Sequence, residues 1–152
     1  MGRQRLTRSR QVARDGGTVV LDAQALSLDA ERDGRLAAMI GAAERNAARV
    51  VVSAVTPLEV RRTGRIGERL RFVLARYTIA PVSDRVIAAA GELLDTAGLD
   101  GHECLVDALV VATAALSDTP VRLLTSDRSH VPKLCRAAAR VDGLAEPRVV
   151  VV

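Results

Sequence analysis

The 152-residue sequence is almost without aromatic side chains: it has no Trp, one Phe (Phe72) and one Tyr (Tyr77). Sequence-specific readers of single-stranded RNA stack bases on aromatic rings, so this scarcity argues against an RRM-like or OB-type binder. Lysine is nearly missing as well. Lys133 stands alone, and the net charge of +4 is carried by arginine. The planar guanidinium suits phosphate, but an Ala/Val/Arg-rich, Lys-poor composition also follows from GC-rich coding, so charge by itself is weak support for a nucleic-acid partner. The two cysteines, Cys104 and Cys135, show no Cys-x-x-Cys spacing. Without an apolar signal region near the start, they read as reduced thiols of a cytosolic protein. A zinc set of His102, Cys104, His130 and Cys135 has spacings that fit no common zinc framework. There is no Gly-x4-Gly-Lys phosphate loop and no GxGxxG, so nucleotide-cofactor readings lose support.

What is present is an aliphatic, globular composition, 49% hydrophobic, long enough for one domain with a proper core. Residues 1–17 carry Arg3, Arg5, Arg8, Arg10 and Arg14 and are expected to form a basic, disordered leader, with the domain spanning 18–152. The chain is organised around Leu105–Ala115, a nearly all-apolar helical run too short to cross a bilayer. Asp107 near its start needs a cation, a donor or a metal ion, because a buried carboxylate is costly alone.

Strands and helices alternate along the domain. Thr18–Asp22, Arg49–Ser53, Thr78–Val82, Val121–Asp127 and Pro147–Val152 read as strands, with Pro81 placing the third at an edge. Helical stretches lie between them. Thr56-Pro57-Leu58-Glu59 reads as a capping box that opens a helix after the second strand, and Ser83 as the cap of the helix that follows the third. The pattern predicts an α/β sandwich with a mostly parallel sheet. Ligands of such sheets bind outside the carboxyl ends of the strands. Asp22 ends the first strand, Asp127 ends the fourth, Glu59 follows the second, and Asp107 lies early in the helix leading into the fourth. Each has a structural explanation alone. Together, without an obvious cationic partner, they call for a divalent cation, and an all-oxygen set suits Mg²⁺ or Mn²⁺. Such an ion favours phosphodiester hydrolysis with no Ser–His or Cys–His pair. His102 and His130 read as surface or capping residues.

The residues Val20–Leu26, Pro57–Val60, Val106–Ala114 and Leu124–Asp127 resemble the successive acidic motifs of the PIN domain, and more narrowly those of the VapC-type toxin ribonucleases of toxin–antitoxin pairs. The ordered set of four carries the resemblance across residues 18–152. It implies a three-layer α/β/α sandwich with a five-stranded parallel sheet in order 3-2-1-4-5. It also implies Mg²⁺- or Mn²⁺-dependent endoribonuclease activity in the cytoplasm, a homodimer, and inhibition by a small antitoxin. Asp22 and Asp107 match the family's central metal ligands, Glu59 its helix acid and Asp127 the acid after the fourth strand. On this expectation Asp22, Asp107 and Asp127 hold one ion, and Glu59 either ligates it or orients the attacking water. Arg61, Arg62 and Arg65 would hold flanking phosphates or form a solvated helix face. The stretch Arg128-Ser129-His130 departs from the family pattern, where many members carry a further acid. Glu103, on the same helical face as Asp107, is either a substitute or a solvent-facing residue. The alternatives are a PIN-like module that binds protein or RNA without catalysis, and cleavage of DNA in place of RNA.

Overall fold

Five short aliphatic runs, four of them rich in Val and Leu, pair as β1 (Thr18–Leu21), β2 (Arg49–Ser53), β3 (Thr78–Ala80), β4 (Val121–Thr125) and β5 (Arg148–Val151). The computed structural model describes residues 16–60 and 63–152. The arginine-bearing part of the leader, residues 1–15, lies outside the described residues, as do Arg61 and Arg62. The five strands form one sheet in the order β3-β2-β1-β4-β5, and every neighbouring pair is parallel. This is the expected strand order, with β3 at one edge and β5 at the other.

Six helices cover the sheet: α1 (Ala23–Ala30), α2 (Gly34–Arg45), α3 (Gly64–Leu74), α4 (Asp84–Ala97), α5 (Gly101–Ala115) and α6 (His130–Ala138). The pleat of the strands divides the core between them. Val20, Val51 and Leu123 point to one face and pack with α4, α5 and α6. Val19, Leu21, Val50, Val52 and Leu124 point to the other and pack with α1, α2 and α3. Both sides of β1 and β2 are therefore apolar, as buried parallel strands require. The result is the three-layer α/β/α sandwich. Among the described residues, no helix is long and apolar enough to cross a membrane.

Local chemistry sets the helix starts. Ser83 accepts a hydrogen bond from the Val86 N–H (3.2 Å) and caps α4. Asp33 accepts from the Leu36 N–H (2.8 Å), so Asp33-Gly34 opens α2. One expectation is corrected. Thr56-Pro57-Leu58 forms a single 3₁₀ turn with no side-chain cap. The Glu59 N–H bonds to the Thr56 carbonyl at 3.1 Å, while the Thr56 hydroxyl is buried with no partner among the described residues. Packing of this turn against β2 and α1 takes the threonine inward. The α-helix starts later, at Gly64, in the left-handed region with φ +64°. Of the two aromatic residues, Tyr77 is buried and its hydroxyl donates to Asp29 at 2.5 Å. Burial first, then the Asp29 bond and charge, push the Tyr77 hydroxyl above its ordinary range.

The entry to the central strand depends on glycine. Gly17 has φ +68°, and a Cβ there would sit 2.0 Å from the Pro120 carbonyl oxygen. That oxygen accepts the Thr18 N–H at 2.9 Å, and the Gly17 carbonyl accepts the Arg49 N–H at 3.0 Å, so the contact is fixed from both sides. Gly98 also has a positive φ, +65°, but a Cβ there meets nothing within 4 Å. Urea denaturation is expected to show Gly17→Ala losing about 3 kcal/mol or more, left-handed strain and overlap together, and Gly98→Ala only about 1–2 kcal/mol. Equal losses would contradict the steric account.

Candidate metal centre

The sheet order places a topological switch beside β1. The connections run from β1 to β2 to β3 in one direction, and the chain then crosses to β4 on the other side of β1. A crevice opens at the carboxyl ends of strands at such a point. Asp22 follows β1 directly, and Asp127 lies two residues beyond β4.

Backbone groups hold both acids there. The Asp22 N–H bonds to the Leu124 carbonyl at 3.1 Å, and its Oδ1 accepts the Ala25 N–H at 2.9 Å as the cap of α1. Asp127 Oδ1 accepts the Ser129 N–H at 2.8 Å, and its Oδ2 accepts the Val131 N–H at 2.7 Å. Oδ2 thus satisfies a first-turn N–H of α6, and Oδ1 holds the residue that precedes the helix. Thr125, fully buried at the end of β4, joins the two acids. Its hydroxyl hydrogen-bonds the Asp22 carboxylate and accepts the Asp127 N–H at 3.0 Å.

Asp107 sits in the second turn of α5, partly buried, where the helix meets this rim. Donor atoms of Asp107, Asp127 and His130 lie within 4.8 Å of one another. Asp22 and Glu59 stand outside that trio, but both are coupled to it by charge. Asp22 feels Asp127, Asp107 feels Asp127 and Asp22, and exposed Glu59 feels Asp107 and Asp22. The structure therefore brings all four acids into one electrostatic group. Among the described residues, none of the four has an arginine or lysine within ion-pair distance. The one ion pair is that of His130 Nδ1 with Asp107 Oδ2, at 3.8 Å.

The titration behaviour follows from this geometry. Burial, chiefly, lifts the Asp22 carboxyl above its ordinary value, against hydrogen bonds from Ala25, Thr125 and Gln24, and the Asp127 charge lifts it further. Burial and then the Asp127 charge raise Asp107, with His130 opposing. Burial, Asp107 and Asp22 raise Glu59. For Asp127, burial is again the largest single influence and acts upward. The N–H groups of Val131 and Ser129 and the His130 charge together outweigh it, and its pKa falls.

The remaining candidates lie elsewhere or in other roles. Glu103 is exposed in the first turn of α5, where a carboxylate complements the helix dipole. Arg65 is exposed on α3 and lines a groove with Glu31, Glu68 and Phe72. Cys104 and Cys135 are buried free thiols, and burial pushes Cys135 up to about 12. Among the described residues, the metal-capable group contains neither cysteine. Sequence reasoning passed over two residues. The sequence shows Thr125 as part of a motif, and His130 as a surface or capping residue or as one member of a zinc set with His102, Cys104 and Cys135, a set that the structure does not assemble among the described residues. The signal for His130 was its spacing, three residues after the acid that ends β4, at the start of a helix on the ligand-binding rim.

Two measurements check this description. Thr125→Val removes the hydroxyl between Asp22 and Asp127 and is expected to cost about 1–3 kcal/mol in urea denaturation. No loss would mean that the hydroxyl does not join the acids. A carboxyl whose pKa is raised by folding takes up protons on folding. Its ionisation therefore lowers stability as pH rises from the unfolded value, near 3.8 for Asp107, through the raised folded value. In EDTA at pH 7, Asp107→Asn is expected to stabilise the fold, seen as a higher melting temperature, by less than about 1 kcal/mol because the group is partly solvated. The gain fades as pH falls below the ordinary carboxylate range, and a loss at pH 7 would contradict the account.

No protein-family model matches the sequence, and no curated protein matches it. Among solved structures, the fold matches a chain of the crystal structure of VapBC2 from Rickettsia felis bound to a DNA fragment from their promoter. The TM-score is 0.63 at 16% identity, over 89% of this chain and 98% of that one. With the strand order 3-2-1-4-5, the chain has the α/β fold of a PIN domain.

Proposed function

We propose that the chain is a divalent-metal-dependent endoribonuclease, the toxin of a bacterial toxin–antitoxin pair. The observation that carries this reading is the group of four coupled carboxylates at the switch point, without a lysine or arginine partner among the described residues. The donors fit such an ion: they are mostly carboxylate oxygens, which Mg²⁺ and Mn²⁺ favour, and among the described residues His130 is the one cationic side chain that opposes their charge. Asp22, Asp107 and Asp127 would hold the ion. When bound, it would supply Lewis acidity toward a phosphodiester and toward water.

The chain's own groups do the rest. The caps fix Asp22 and Asp127 before any ligand arrives, so little reorganisation is needed on binding. Glu59 is the outermost of the four and keeps solvent access. Its raised pKa brings its basicity nearer to neutrality, which suits it to orient the attacking water and accept its proton. Phosphodiester chemistry does not read the sugar, so RNA as substrate, like a cytoplasmic location, rests on the family resemblance. The same resemblance, with the fold shared with VapBC2, supports a small antitoxin partner. Exposed Leu58, Phe72, Ile79, Ile87 and Leu105 offer apolar area for that partner or for a homodimer.

The test is a mixed RNA pool incubated with the purified chain in Mg²⁺ or Mn²⁺, with cut ends mapped. Cleavage is expected, and it should be abolished by EDTA and by Asp22→Asn, a substitution that keeps a good helix cap while removing charge. The wild type should also show a saturable rise in melting temperature with Mn²⁺, lost in the variant. A flat melting response with intact RNA would instead make the chain a non-catalytic binding module. Cleavage of DNA alone would change the substrate.

A further inference from the structure

We infer that His130 is a nitrogen ligand of the ion held by Asp107 and Asp127, and that it gives the centre a preference for Mn²⁺ over Mg²⁺. This inference rests on the metal-centre reading above and deepens it.

The position of His130 is fixed by structure already needed for other reasons. It is the first residue of α6, between the two residues whose N–H groups bond to Asp127, Ser129 and Val131. Asp127 therefore sets both its own orientation and the start of the helix that carries the imidazole. The ring is partly buried and turns toward Asp107 on a different element, α5, with 40% of its side chain exposed against 38% for Asp107.

The separation carries the argument. Nδ1 and the nearer Asp107 oxygen are 3.8 Å apart, beyond the roughly 2.7–3.2 Å of an N–H···O hydrogen bond. It lies between the ~3.0 Å that separates adjacent octahedral ligands and the ~4.2 Å that separates opposite ones, each about 2.1 Å from the ion. The Asp127 donor atom lies within 4.8 Å of both, so small rotations of these side chains bring three donors around one ion. The imidazole and the two carboxylates, from two helices and the loop after β4, converge on one point without a hydrogen bond between the ring and Asp107.

The chemical consequence is selectivity. Mg²⁺ is a hard ion that takes oxygen ligands and retains its waters, whereas imidazole suits first-row transition ions. Three carboxylates alone discriminate weakly between Mg²⁺ and Mn²⁺, and an added imidazole favours Mn²⁺.

The test uses the full chain with Mn²⁺ and Mg²⁺ as the only probes. Pulsed electron paramagnetic resonance of the Mn²⁺-loaded protein is expected to show ¹⁴N modulation from one imidazole, absent in His130→Ala and His130→Gln. Calorimetric titration should show His130→Ala weakening Mn²⁺ binding about tenfold or more and Mg²⁺ binding by less. His130→Gln, which offers an oxygen donor from the same helix position, should still bind both ions with the preference reduced. Absence of ¹⁴N modulation in the wild type, or an unchanged Mn²⁺/Mg²⁺ ratio in both variants, would overturn the role of His130. If Asp22→Asn still abolished Mn²⁺ binding in that case, the carboxylate centre would stand. Failure of the wild type to bind either ion would overturn the centre and this inference together.

Discussion

Repulsion between carboxylates held together by backbone hydrogen bonds is the constraint from which the rest of this site follows. Asp22 and Asp127 are not free to separate. Each is a helix cap, a role worth about 1 kcal/mol, and Thr125 binds to both. The local bonds that organise α1 and α6 therefore set acids side by side at one rim, and Asp107 joins them from α5. Backbone N–H groups and His130 offset part of that charge, and a divalent ion at this rim, as proposed above, would offset the rest. Perturbed carboxyl groups are a mark of functional sites, and here the perturbation has a named source in each case.

The sheet makes the gathering possible. A central strand with a neighbour on each side, both parallel to it, points three carboxyl ends the same way. Sequence-distant acids meet because the chain leaves β3 and returns on the far side of β1. The two aliphatic cores, one per face, keep this framework rigid with almost no aromatic contribution. Phe72 lies exposed under the Arg69 guanidinium, 4.9 Å from the ring centre, and only Tyr77 is drawn inside.

Much of this was legible in the residues. Valine-rich runs ending in Asp22 and Asp127 announce buried parallel strands with acids at their carboxyl ends, and Ser83 announces its helix. The Thr56 cap failed because a capping box is a local pattern. Burial of Thr56 between β2 and α1 is a tertiary effect that the four-residue window does not contain. His130 was hidden for a related reason: its neighbour Asp107 is 23 positions earlier on another helix, and only the crossing of α5 and α6 brings the pair to 3.8 Å.

The most direct measurement of the central claim is anomalous diffraction from a crystal of the chain grown with Mn²⁺. The account predicts an anomalous peak at the carboxyl ends of β1 and β4, about 2.1 Å from carboxylate oxygens of Asp22, Asp107 and Asp127. A rim without a peak at saturating Mn²⁺, or one whose acids are each neutralised by an arginine of the chain, would contradict it.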